Sequence, residues 1–175
     1  MRYFQGFGIV MMSFFVTISA LATEPLYDRL SYKGQAGPIY QPGTGWLSLP
    51  ESERLQALKR EERCSAIGGP LGTYKYDDSR LWITGLHRCS GEVALDQVYP
   101  EMVVPTLAVW LSGKLVAKLG GVVCTKPSGA WVFQTELALD VERGVVLSVS
   151  EKTNDASACV ELPPVLPKST PPKRK

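Results

Sequence analysis

The sequence predicts a mainly β protein of the α+β kind, an antiparallel barrel or sandwich of about six to eight strands. One amphipathic helix precedes the strands and two disulfides staple them. Three observations carry this expectation. The first is the alternation in "AWVFQTELALDV", Ala130 to Val141. There Trp131, Phe133, Leu137, Leu139 and Val141 are interleaved with Gln134, Glu136 and Asp140, the pattern of a strand with one wet face. The second is "SLPESERLQALKREERC", which opens on an S-x-x-E pair and continues in strong helix formers. The third is the even set of cysteines, Cys64, Cys89, Cys124 and Cys159, in a chain that begins like an exported one.

The first residues place the chain. Arg2 gives a short positive region, Phe7 to Ala22 carry no charge, and Ala20-Leu21-Ala22 fits the small-x-small rule. A signal peptide over residues 1–22, cleaved before Thr23, is expected. The rival is a retained membrane anchor, for which the run is somewhat short. Thr23, where a lipoprotein would need cysteine, argues against lipid attachment. The expected destination is the periplasm or the exterior. The single asparagine, Asn154, stands in no glycosylation sequon and fits a bacterial source.

Residues 23–47 read as an irregular Gly/Pro-rich arm around "GQAGPIYQPGTGW". The GTG in it lacks the lysine of a phosphate loop. A single globular domain is expected over 48–162. Its helix should run over 49–63, capped by Ser48 and Glu51, with Pro50 in the first turn. Leu49, Leu55, Leu58 and Cys64 form its apolar stripe. "GGPLG" ends it. Strands then follow in "LWITGLHRC", "TLAVWL", "KLVAKL", "GGVVCT", "AWVFQTELALDV", "VVLSVSEK" and "SACVEL". Ser112-Gly113 forms a hairpin turn, and Val145, Leu147 and Val149 share one face. "SGEVALDQVYPEMVVPT" is a crossover or surface loop, with a helix through Glu101 to Val104 opposed by Pro100 and Pro105. Residues 163–175 are Pro-rich and basic, cannot build a core, and are expected to be a disordered or extended tail.

The disulfide pairs favoured are Cys64–Cys89 and Cys124–Cys159. A zinc site would need a C-x-x-C knuckle, which is absent. The one histidine, His87, stands two positions before Cys89, so both side chains share a strand face. A Cys–His nucleophile pair is geometrically open there. A disulfide at Cys89 would make His87 an ordinary half-buried strand residue. No G-x-S-x-G is present for a serine hydrolase, and one histidine rules out a poly-histidine metal site. Asp77-Asp78 and Glu61-Glu62 read as solvated charge.

The formal net charge is +2, and the terminal Lys168, Lys173, Arg174 and Lys175 supply more than that. The body is therefore slightly acidic, which is no nucleic-acid footprint. The basic tail could touch an anionic envelope surface. Trp110 and Trp131 read as core. Trp46, with Tyr40 and Tyr32, falls in the arm and makes the candidate partner-binding set. No cofactor, no metal and no catalytic residue is expected. The functional expectation is an exported, non-catalytic binding protein of the bacterial envelope that recognises a protein, as an inhibitor, an immunity factor or an accessory subunit. The alternatives are a β-barrel carrier of a small ligand or polysaccharide, and a hydrolase or thiol enzyme using His87 with Cys89.

Overall fold

The computed structural model describes residues 26–61 and 69–159, apart from the side chain of Ala158. The expected signal segment, Cys64 and the basic tail lie outside them. The elements are β1 (Asp28–Tyr32), β2 (Gln35–Tyr40), α1 (Glu53–Glu61), β3 (Leu71–Asp77), β4 (Arg80–Arg88) and β5 (Gly91–Val93). They continue with α2 (Leu95–Val98), β6 (Thr106–Leu107), β7 (Gly113–Thr125), β8 (Trp131–Glu142) and β9 (Val145–Thr153), then a 3-10 turn, Ala156–Cys159. No helix among the described residues is long and apolar enough to cross a membrane.

The chain is mainly β, and its pairings run around a ring in the order β3-β1-β2-β7-β8-β9-β4 and back to β3. Two contacts close that ring. β4 meets β9 only at Arg80↔Val145, and β1 pairs with β3 in parallel through Arg29↔Thr73 to Ser31↔Lys75. Every other pairing is antiparallel. Among the described residues the parallel pair is the one departure from the antiparallel pairing expected. Its connection runs through β2 and α1, so the predicted helix lies in the crossover a parallel pair requires.

The ring encloses the core. Leu30, Ile39, Tyr74, Leu81, Ile83, Leu115, Ala117, Leu119, Leu137 and Leu139 are all at most 1% exposed. Leu55 of α1 is fully buried against this cluster. The helix begins four residues later than expected. Its cap is Ser52, whose Oγ accepts the Leu55 N–H at 3.0 Å, so Ser48 and Glu51 form no capping box. The same hydroxyl reaches the Val98 carbonyl at 3.3 Å, Arg54 Nη1 donates to the Gln97 carbonyl at 3.1 Å, and the Tyr99 hydroxyl donates to the Pro50 carbonyl at 2.6 Å. These bonds dock α2 beside α1. The link expected as a crossover or surface loop therefore carries a short helix whose Leu95 and Val98 are buried.

One carboxylate holds three segments together. Asp28 points inward from β1 and is fully buried. Its Oδ2 accepts the Leu47 N–H at 2.7 Å and its Oδ1 accepts the Gly72 N–H at 2.6 Å. It thus ties the lead-in to α1 and the start of β3 to β1, just beyond the parallel ladder. Burial raises its pKa to about 6, against the opposing effect of the two backbone N–H groups. A Cβ added at Gly72 would lie 2.3 Å from Cε2 of Tyr74, so the ring of Tyr74 occupies that space. Burial pushes the Tyr74 phenol well above its ordinary range, and the nearby Asp28 charge adds to this.

Several elements differ from the sequence reading. The expected arm contains the β1–β2 hairpin. "TLAVWL" forms strand only at Thr106–Leu107, and Gly113 starts β7 instead of turning a hairpin. "KLVAKL" and "GGVVCT" are one 13-residue strand, with register shifts between Leu119 and Val122 and between Val122 and Cys124. "YKYDDSR" is the β3–β4 hairpin, with Asp78 and Ser79 at its tip. "SACVEL" gives the 3-10 turn where a strand was expected; its last residues lie outside the described ones. The Cys124–Cys159 disulfide is present, with Cα atoms 6.2 Å apart. Cys89 is disulfide-bonded, while Cys64, its expected partner, is outside the described residues.

Leu55→Ala removes the one fully buried side chain of α1 and should cost about 2–5 kcal/mol in urea unfolding. Gly72→Ala should destabilise as well, since the Tyr74 ring must move to admit the methyl group.

Candidate functional site

The three aromatic residues expected to form one binding set are placed at three separate positions. Tyr32 ends β1. It stacks on Tyr76 with ring centroids 4.9 Å apart, and its hydroxyl meets Glu151 Oε2 at 3.4 Å. Lys33 Nζ binds the same carboxylate at 3.0 Å. Tyr40 lies at the other end of the hairpin, with Lys118 Nζ 5.8 Å from its ring centroid. Trp46 is 52% exposed in the lead-in to α1, where it lines a separate hollow with Leu49, Lys59 and Leu71.

Tyr40 belongs to a larger aromatic surface. A groove of about 510 Å³ is lined by Tyr27, Pro38, Tyr40, Lys118, Trp131 and Phe133. A second hollow, of about 450 Å³, shares Tyr27, Pro38 and Phe133 and extends to Arg29 and Ala36. The floor is the outer face of the β1–β2 hairpin. The wall is the far end of β7 and β8, beyond the irregularity at Gly120-Gly121, where the Gly121 N–H donates to Gln134 Oε1 at 3.1 Å. Past this irregularity the faces of β8 reverse: Val132 is the buried residue, and Trp131 and Phe133 turn to the outer side, opposite to Leu137. Trp131 is therefore 49% exposed, against the expectation that it packs inside. Trp110 does pack against the core.

The second feature is the outer edge of β9. β8 pairs with β9 from Val145 to Thr153, but on its other side β9 meets β4 at Val145 alone. The Val146 N–H donates to the Ser79 carbonyl at 2.8 Å, and beyond it no described strand runs along that edge. β4 is occupied further on by β6 and β5. A register shift between Asp140 and Val141 sets Val146 opposite Val141 and Ser148 opposite Asp140, which leaves Leu147 as the extra residue. The apolar face expected from Val145, Leu147 and Val149 is thus not buried: they are 38%, 61% and 43% exposed, and Val146 alone turns in.

His87 is built into the scaffold. It is buried on β4, and its Nε2 meets the Tyr27 carbonyl at 2.9 Å. A carbonyl only accepts, so Nε2 carries the proton and Nδ1 accepts from the Thr73 hydroxyl at 3.3 Å. Burial, reinforced by the charge of Arg29, holds its pKa below the ordinary value. Both ring nitrogens are engaged and Cys89 is in a disulfide, so the segment offers no thiolate–imidazole pair. Among the described residues no group of three or more His, Cys, Asp or Glu side chains could hold a metal ion.

His87→Ala leaves the Tyr27 carbonyl and Thr73 hydroxyl without their partner and should cost about 1–3 kcal/mol. The depressed pKa makes the native protein lose the His87 contribution as pH falls below about 6.5, because the unfolded chain then binds the proton more readily. His87→Ala should remove that part of the pH dependence. Trp131→Ala, at an exposed site, should change stability by less than about 1 kcal/mol in the same assay. No protein-family model, no curated protein and no solved structure matches this chain.

Proposed function

We propose that this chain is an exported, non-catalytic binding protein of the bacterial envelope, a small β-barrel that recognises another protein by accepting one of its strands on the open edge of β9. The observation that carries this is the edge from Leu147 to Thr153, unpaired among the described residues, with Leu147 and Val149 exposed beside it. A row of free N–H and C=O groups is satisfied by one kind of ligand, an extended backbone, and adjacent apolar side chains select its alternate residues. The partner is therefore an extended segment with apolar residues at every second position. Tyr32 and Lys33, joined to Glu151, stand at the far end of the strand and brace it. Inhibition, immunity and accessory-subunit roles all use such a contact. Export rests on the charge and apolar pattern of residues 1–22.

The test places a photo-crosslinking residue at Ser150 and exposes the mature protein to envelope extract. A defined protein should crosslink through an extended segment, and Leu147→Lys with Val149→Lys should abolish the product. Both positions are exposed, so the double variant should keep its unfolding free energy within about 1 kcal/mol. Light scattering should find a monomer. Crosslinking of one copy to another, or capture that the double variant leaves intact, would overturn the proposal.

A further inference from the structure

We infer that the aromatic groove is a second, independent binding site, and that its ligand is an anionic polysaccharide. It shares no residue with the β9 edge and does not depend on the reading of that edge.

The argument starts from the sheet register. Arg29 of β1 is opposite Pro38 of β2, and Ile39 pairs with Ala117, which brings the next residue of β7, Lys118, to the other side of Pro38. Arg29 and Lys118 therefore flank Pro38 across the outer face. Their backbones are two strand spacings apart, about 10 Å. Neither cation has an ion-pair partner among the described residues. Glu136, directly across from Lys118 on β8, forms no ion pair with it. Among the described residues no carboxylate lines either hollow. Around the two charges stand the rings of Tyr27, Tyr40, Trp131 and Phe133, with Tyr27 39% and Trp131 49% exposed.

Rings presented on an open, shallow surface stack against the flat C–H faces of sugars, and unpaired cations beside them call for carboxylate groups. An extended peptide is less well served. It needs free backbone to pair with, and the floor offers little. β1 lies between β2 and β3, and β7 covers β2 so closely that a Cβ added at Gly37 would meet the Lys118 carbonyl oxygen at 2.0 Å. Two cations on a slightly acidic body are too few to track a nucleic acid. Uronic-acid chains and other carboxylated glycans combine ring faces with regularly spaced charge.

The probe is a tetrasaccharide of galacturonic acid, followed by tryptophan fluorescence and calorimetry on the mature protein. Saturable binding that weakens as salt rises is expected. Trp131→Ala should lower affinity by about tenfold or more, the effect of removing an aromatic anchor. Arg29→Gln with Lys118→Gln should weaken binding and flatten its salt dependence. Leu147→Lys with Val149→Lys should bind the tetrasaccharide like the native protein, which separates this site from the β9 edge. No binding, binding indifferent to Trp131→Ala, or equal affinity for the uncharged galactose tetrasaccharide would overturn the inference. Equal or tighter binding of oligoglutamate would assign the groove to acidic peptide and would overturn it as well.

Discussion

The buried carboxylate of Asp28 is the constraint on which the rest of the molecule depends. A ring of strands must close, and here it closes through a short parallel contact between β1 and β3 and a single bridge between β4 and β9. Neither contact is long enough to be secure alone. Asp28 adds two hydrogen bonds at the parallel seam, one to Gly72 at the head of β3 and one to Leu47 ahead of α1. The same residue thereby seats the helix whose Leu55 packs into the core. Burying a carboxyl group is costly, and its raised pKa reflects that cost. Two backbone donors offset part of it and would themselves be stranded without it. His87 adds a neighbouring bond, holding the Tyr27 carbonyl next to Asp28 from β4.

Closing the ring at this seam determines what is left outside. β7 and β8 are longer than the core they cover, and their far ends carry Trp131 and Phe133 past it, over the outer face of the hairpin. β9 leaves β4 after one bridge because β6 and β5 occupy the rest of that edge. The aromatic groove and the open strand edge are thus consequences of strand lengths that exceed the ring. The first presents rings and unpaired cations, the second presents backbone and aliphatic side chains. Their different chemistry is the reason for giving them different ligands.

Much of this is legible in the chain. Alternation marks β8 and β4, helix formers mark α1, and the Cys124–Cys159 pairing is as expected. The hairpin of β1 and β2 is not legible, because "QAGPIY" carries a glycine and a proline that read as loop. Pro38 is tolerated because the β2–β7 ladder spans only Ile39 and Tyr40, so its missing N–H falls where that ladder stops. The groove is hidden for two reasons. Tyr27, Tyr40 and Trp131 are distant in sequence, and alternation read straight along β8 does not reveal the register shift that reverses its faces before Phe133. Alternation alone therefore puts Trp131 in the interior. The same limit applies to β9, where one extra residue shifts the phase and Val146 alone turns inward. Asp28 itself gives no signal, since an acidic residue in a Gly/Pro-rich stretch looks solvated.

The measurement that tests the role of Asp28 most directly is urea unfolding from pH 4 to pH 7, on the native protein and on Asp28→Asn. A folded pKa of about 6, above the unfolded value, means that the native state keeps a proton the unfolded chain has lost. This contribution is full below the unfolded pKa and is lost as pH rises through the folded one. The native protein should therefore lose up to roughly 3 kcal/mol from this group between about pH 4 and pH 6. Asp28→Asn cannot titrate there. It should be less stable at pH 4, because its amide faces one of the two N–H donors, and its deficit should shrink as pH rises. A deficit that stays constant across the range, or a variant as stable as the native protein at pH 4, would contradict a buried Asp28 that clamps the seam of the ring.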